Sequence, residues 1–302
     1  MPIIDTHLLI CGVIKDVEKQ LPQNMELLKE IGNHFTKYKI LLYENNSTDS
    51  TKSILTTMVS ENVRVIMEET KPTKENSQIW AYTAVTGSDH YCRIENICKA
   101  RNVLVEEINK PEFDSYNVVV WIDLDCNAFS VEGIVHAVNQ VRNTKKVFFG
   151  NSSEYYDYYA LRMSSNHHLL GPEIIGEPFW DAINMEKINL DHDQPVQVYS
   201  AYNGVGVYPK ECFQKARFHC IVNDNVKRVY RKILRENPET PYSQYIRNEC
   251  NKFYGGMHDE DVFWKNNSGY DKPVICEHIG LNFQLIENGY ELFIDPRMMF
   301  DR

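Results

Sequence analysis

Val118-Val119-Val120-Trp121-Ile122-Asp123-Leu124-Asp125 joins an unbroken apolar run to two carboxylates set one residue apart. A run of this length, rich in β-branched side chains and bounded by turn formers, reads as a buried strand of a parallel sheet. In open α/β sheets, ligands bind beyond the carboxyl ends of the strands. Asp123 and Asp125 therefore stand where such a fold receives its ligand. Strand side chains alternate with a period of two, so both point to the same side. Carboxylates so placed repel each other unless a cation lies beside them, and oxygen donors suit a hard divalent ion, Mn2+ or Mg2+. Alone, a D-x-D pair is more often an Asx-rich turn that caps its strand. What surrounds it decides between the two.

Upstream, Leu8 to Ile14 reads as a first strand and its turn. Leu21, Met25, Leu28, Ile31 and Phe35 follow at helical spacing. Lys39 to Tyr43 reads as a second strand, Ile54, Leu55 and Met58 as a helix, and Val63 to Met67 as a third strand. This β-α-β-α-β order predicts a parallel sheet with right-handed crossovers. Residues 70–90 are polar and read as a loop, ahead of a helix over 91–109. A helix over 131–141 and a strand over 146–150 come after the acidic pair. Residues 151–201 are rich in Tyr, His, Asn and Pro and lack clean periodicity. Tyr202 to Tyr208 reads as a strand with glycines for close approach. Residues 224–252 are helical with breaks at Pro238 and Pro241, and a helix from Glu277 stops at Asn288-Gly289. Glu291 to Ile294 closes the chain as a strand before Pro296.

The 302 residues suffice for one large domain, and 43% hydrophobic with 25% charged residues is ordinary for a globular protein. A net charge of −10 argues against nucleic acid as a partner. The eight cysteines form no C-x-x-C pair and no zinc spacing, so they read as reduced, buried thiols. The N-terminus lacks a basic region and meets Asp5 early, and no apolar segment reaches membrane-spanning length. A cytoplasmic protein is expected.

Four further groups could carry chemistry. Glu44 to Asp49 follows the second strand beside the same crevice as the acidic pair. It reads both as a turn with a helix cap at Ser47 or Asp49 and as a carboxylate contact to ribose or base. Arg101-Asn102 lies in the long helix before the acidic strand; the arginine either reaches a diphosphate or belongs to a solvated helix face. Glu277-His278 opens the late helix. It is either an acidic first turn or a base with a metal- or phosphate-contacting imidazole. His258-Asp259-Glu260-Asp261 follows two glycines, and is either a solvated charge run or an acceptor loop with Asp261 as a second base. The aromatic residues Tyr155, Tyr156, Tyr158, Tyr159, Phe179 and Trp180 suit either a core or stacking on sugar rings.

Taken in order, these pieces resemble a GT-A-type glycosyltransferase of the family-2-like group. Tyr43-Glu44-Asn45-Asn46-Ser47-Thr48-Asp49-Ser50-Thr51 is similar to that group's nucleoside loop. Arg101-Asn102 is similar to its A-R-N step near the diphosphate, and Asp123-Leu124-Asp125 to its D-x-D metal motif. Glu277-His278 through Asn288-Gly289-Tyr290 to Pro296 resembles its E-D-x-x-L … G-Y … P segment. Tyr156 to Arg162 and the Cys276-Glu277-His278 step are closer to capsule-associated fungal mannosyltransferases and their viral and bacterial relatives. Asn45-Asn46 departs from the Asp-Gly of the nucleoside loop, and His278 from the Asp of the late acidic pair.

The resemblance implies an α/β fold with a mixed, mostly parallel sheet flanked by helices, in a single domain over 1–302. Residues 1–150 would bind the nucleotide sugar, and residues 151–302 the acceptor. The implied partners are a nucleotide-sugar donor and a glycan or other hydroxyl acceptor, with Mn2+ or Mg2+ as cofactor. Cys11, Glu44, Asn46, Asp49, Arg101 and Asp123 would line the donor, and Asp123, Asp125 and His278 would hold the metal. Glu277, with Asp261 as its rival, would be the catalytic base. Two other readings remain at this stage: a carbohydrate-binding scaffold on a degenerate fold of this type, and a sugar nucleotidyltransferase. The latter fits less well, because Cys11-Gly12-Val13-Ile14-Lys15-Asp16 is a poor phosphate loop.

Overall fold

The computed structural model describes residues 3–70, 77, 79–83, 88–165, 168–176, 178–185, 194–254, 264–265 and 273–302. The chain opens with β1 (Ile4–Ile14), α1 (Leu21–Asn33), β2 (Phe35–Asn45), α2 (Thr51–Met58) and β3 (Val63–Glu68). A hairpin of β4 (Trp80–Thr83) and β5 (Ser88–Tyr91) leads into α3 (Arg93–Ile108). Then come β6 (Val118–Ile122), β7 (Ala128–Phe129), α4 (Val131–Val141) and β8 (Lys146–Asn151). The second half holds α5 (Pro172–Ile175), α6 (Pro178–Met185), β9 (Val196–Val198) and β10 (Val205–Pro209). It closes with α7 (Asp224–Glu236), α8 (Pro241–Tyr254), α9 (Glu277–Glu287) and β11 (Glu291–Asp301).

Nine of these strands form one sheet in the order β3-β2-β1-β6-β10-β8-β11-β7, with β9 also paired to β11. The β3-β2-β1-β6 block is parallel throughout, as the opening β-α-β-α-β pattern requires. β10 runs antiparallel between β6 and β8, and β11 lies parallel to β8. The architecture is therefore a mixed, mostly parallel sheet.

Strand alternation divides the core into two layers. Val118, Val120 and Ile122 join Leu8, Ile10 and Leu42 under α1 and α4. Val119 and Trp121 join Leu9, Cys11 and Leu41 under α3, α7 and α9. Each fully buried aliphatic or aromatic side chain contributes about 1.5–3 kcal/mol relative to exposure, so both faces of the sheet hold the helices in place. Among the described residues no helix is long and apolar enough to cross a membrane.

Four elements differ from the sequence-based expectation. The stretch 70–90 is not all loop, since it contains the β4–β5 hairpin. Phe35 belongs to β2 rather than α1, because the helix stops at Asn33 and the chain turns at His34. The strand expected from Tyr202 begins only at Val205, because Asn203 (φ 52°) and Gly204 (φ 81°) make a left-handed turn before it. Finally, β11 continues past Pro296. Its register against β8 shifts between Ile294 and Met299, and such a bulge accommodates a residue that cannot donate to the ladder.

Candidate active site

Asp123 follows the last residue of β6 and keeps the parity of Val119 and Trp121, so it faces α3. Its backbone N–H donates to the Gly204 carbonyl at 2.8 Å. Its Oδ1 accepts from the Tyr202 hydroxyl at 3.1 Å and from Arg101 Nη2 at 3.2 Å. Burial raises the Asp123 carboxyl above the usual range; the Arg101 charge opposes this, while Asp125 and Glu277 add to it. Asp125 is exposed and meets the Arg302 guanidinium at 2.7 Å. Arg302 in turn lies over the Tyr156 ring, 5.4 Å from its centroid.

The turn that carries both aspartates is held from below. Asn24, fully buried on α1, donates through Nδ2 to the carbonyls of Leu124 at 3.1 Å and Cys126 at 3.0 Å. A polar residue beside Leu21, Met25 and Leu28 on the apolar face of α1 was the available signal for this role. The sequence reading passed it over.

Arg101 enters from α3 and is itself buried. Its guanidinium packs among the rings of Tyr202, Phe218 and Trp121, at 5.0, 5.5 and 5.9 Å. It pairs with Asp123 on one side, and its Nε lies 3.5 Å from Glu277 Oε1 on the other. Burial works against its charge, but Tyr202, Asp123 and Glu277 outweigh that, and the group stays cationic.

Glu277 and His278 open α9, both buried. The His278 ring stacks on Tyr202 with centroids 3.6 Å apart and meets Phe218 edge-on. Burial, and then the Arg101 charge, hold its pKa well below the usual imidazole range, so the ring is neutral. Among the described residues neither ring nitrogen has a hydrogen-bond partner, although Nε2 lies 3.5 Å from Glu277 Oε1.

The loop after β2 behaves as a clasp. Glu44 is fully buried, and its Oε1 accepts from the Ser47 N–H at 2.7 Å. Asp49 accepts from Thr51 N at 2.9 Å and from Glu18 N at 3.0 Å. Asp16 Oδ1 in turn accepts from Thr48 N at 2.6 Å, so the loops after β1 and β2 are zipped together. Asn45 and Asn46 of this loop line the cavity, with Asn46 in a left-handed conformation (φ 58°).

These residues surround one cavity of about 750 Å³. Of the expected site residues, Asn46, Arg101, Asp123, Asp125, Glu277 and His278 line it. Three others sit behind its wall. Cys11 is consumed by the core beneath α3, while Glu44 and Asp49 are consumed by the backbone amides of the clasp. Asp261 lies outside the described residues.

The cavity also takes in Tyr156 and Tyr159 of the aromatic group, together with Asp157 and Tyr202, which carry no site role in the sequence analysis. Asp157 accepts backbone hydrogen bonds from Asn203 at 3.3 Å and Ala160 at 3.4 Å. Burial and the neighbouring Glu277 push its carboxyl up to about 6. Its signal in the sequence was an acid embedded in the aromatic run 155–159.

Among the described residues no three His, Cys, Asp or Glu side chains gather closely enough to enclose a metal. The donor set nonetheless suits a hard cation that completes its shell with a substrate's phosphates, for which one or two carboxylates suffice. At present the Arg302 guanidinium supplies the positive charge against Asp125.

The family model described as Cryptococcal mannosyltransferase 1 matches residues 7–240. No curated protein matches the chain. Among solved structures, the chain is similar to GalNAc-T7 with UDP, GalNAc and Mn2+, at 11% identity and a TM-score of 0.45, over 98% of this chain and 43% of that one. It is also similar to S. aureus TarS residues 1–349, at 12% identity and a TM-score of 0.38, over 71% of this chain and 50% of that one. A third is glucosyl-3-phosphoglycerate synthase from Mycobacterium tuberculosis with Mn2+, UDP and phosphoglyceric acid, at 10% identity and a TM-score of 0.39, over 68% and 57%. The chain thus spans about half the length of the solved chains it matches. With most of its length matched by the family model, the chain belongs to the Cryptococcal mannosyltransferase 1 family.

Proposed function

We propose that this chain transfers a hexosyl or related glycosyl group from a nucleotide-sugar donor to a hydroxyl of a glycan or other acceptor, with Mn2+ or Mg2+ as cofactor. The observation that carries this reading is the placement of Arg101 between Asp123 and Glu277 in a single cavity. The same cavity reaches Asn45 and Asn46 of the clasp on one side and the start of α9 on the other. Donor and acceptor chemistry thereby share a wall.

The nucleoside would rest against Asn45 and Asn46, with Lys15 and Arg93 on the cavity wall near enough to meet a diphosphate. Asp125 and Asp123 would hold the divalent cation. When bound, that ion supplies positive charge against the leaving diphosphate. Asn24 fixes the turn on which both carboxylates ride. Arg101 sets the orientation of Asp123 and Glu277. In the transfer, the bond from the anomeric carbon to the diphosphate breaks, and a bond from that carbon to the acceptor oxygen forms. Glu277 would take the proton that the acceptor hydroxyl loses. His278, neutral and with both nitrogens unpartnered among the described residues, would serve the metal or the diphosphate.

The test is a thermal-shift screen of UDP-, GDP- and dTDP-sugars with and without Mn2+. Binding at a hundredfold excess over Kd stabilises a protein by about 2.7 kcal/mol, so a metal-dependent shift with one nucleotide class is expected. No shift with any of them would sink the proposal and favour a carbohydrate-binding scaffold.

A further inference from the structure

We propose that Arg302 is a tethered competitor of the divalent cation for Asp125, and that it makes metal and nucleotide bind together. This rests on the glycosyl-transfer reading of the cavity and concerns how the site is loaded.

Each carboxylate of the acidic pair already faces a guanidinium. Asp123 meets Arg101 at 3.2 Å, and Asp125 meets Arg302 at 2.7 Å. The two arginines are held very differently. The Arg101 side chain is 5% exposed and is enclosed by the rings of Tyr202, Phe218 and Trp121. It also answers Glu277, so taking it away from Asp123 would leave buried charge uncompensated. The Arg302 side chain is 52% exposed and that of Asp125 45%. An exposed ion pair is weak, so Arg302 is the guanidinium that can step aside.

Its backbone cannot follow. Phe300 and Asp301 of β11 pair with Phe129 and Ala128 of β7, which comes directly after the acidic turn. The Asn127 N–H donates to the Asp301 carbonyl at 2.9 Å. The fully buried Phe300 packs beside Tyr156, whose ring carries the Arg302 guanidinium. Arg302 is thereby moored to the same turn as Asp125. A group so tethered stays at high local concentration whether or not it is paired.

A cation that arrives alone must displace this guanidinium and share the site with the positive charge it releases. A nucleoside diphosphate arriving with the cation brings negative charge that accommodates both. Metal and nucleotide should therefore raise each other's affinity by one common factor, and Arg302 sets part of that factor. Lys15, Arg93 and Lys99 also line the cavity, and their pull on a diphosphate remains when Arg302 is replaced. The contribution of Arg302 is separable from theirs.

The experiment follows free Mn2+ by electron paramagnetic resonance, using the full chain without any acceptor. Mn2+ is titrated alone and with UDP, GDP or dTDP, and a protein-free blank corrects for Mn2+ held by the nucleotide. Arg302→Ala should bind Mn2+ alone about two- to fivefold more tightly than the parent, the scale of one exposed ion pair. That gain should vanish when the nucleotide that binds is present. Arg302→Gln, neutral and of similar reach, should match the alanine variant and carries the test if alanine costs the fold. Arg302→Lys, which keeps the charge, should stay with the parent. The proposal is overturned if the neutral variants bind Mn2+ alone no more tightly than the parent, or if their gain persists with nucleotide. If the parent binds Mn2+ with a nucleotide and the neutral variants match it throughout, only this inference fails. If the parent binds Mn2+ with none of the three nucleotides, the glycosyl-transfer reading fails as well.

Discussion

Under the proposed function, Arg101 is shared by the two ends of the chemistry. One edge of its guanidinium faces the aspartate assigned to the leaving group, and the other faces the glutamate assigned to the acceptor. Glu277→Gln keeps the shape of the side chain but removes its basicity. Turnover should fall by about 10²–10⁴-fold, the usual worth of general-base help, while calorimetry shows nucleotide binding retained. Unchanged turnover would remove Glu277 from its role. Asp157 permits a different test, because burial beside Glu277 and Asp123 raises its carboxyl from the ordinary 3.8 to about 6. A carboxyl with a raised folded-state pKa favours the fold when protonated. Its contribution is full below about pH 4 and is lost as pH rises through about 6. Asp157→Asn should therefore be more stable than the parent at pH 7, by up to about 3 kcal/mol, and should lose that advantage near pH 4. Urea titrations at the two pH values measure it; an equal difference at both would mean that Asp157 is not held in this way.

At the scale of elements, the site depends on short segments pinned by helices and by each other. Asn24→Leu would leave the Leu124 and Cys126 carbonyls buried and unpaired, at a cost of about 1–3 kcal/mol each. Both a lower unfolding midpoint and weaker Mn2+ binding are expected. A variant destabilised but with full Mn2+ affinity would show that α1 supports the fold and not the acidic turn. The parallel block β3-β2-β1-β6 was legible because each strand is an apolar run separated by a helical period. The clasp was legible as a turn, but its division of labour was not. Glu44 and Asp49 are acids beside the crevice in the sequence, yet backbone amides only three-dimensional contact reveals claim them. The bulge at Pro296 was hidden for a similar reason, since proline ends a strand unless a partner strand tolerates the shift.

At the scale of the molecule, the cavity draws on both halves of the chain. Asp123, Asp125 and Arg101 come from the first, and Asp157, Tyr202, Glu277 and Arg302 from the second. The first set stood out in the sequence because carboxylates after an apolar strand and an arginine in a preceding helix occupy positions with a physical meaning. Asp157 did not stand out, because its stretch has no periodicity that would assign it a direction. The same interleaving governs how the protein can be made. β10 lies between β6 and β8, and β11 lies against β8. When synthesis has passed β8, β6 and β8 therefore both exist without the strand that joins them. Pairing across such long stretches of chain is slow, and unjoined strand edges invite association with other chains. Efficient production should thus depend on keeping the nascent first half apart from its neighbours until β10 has emerged.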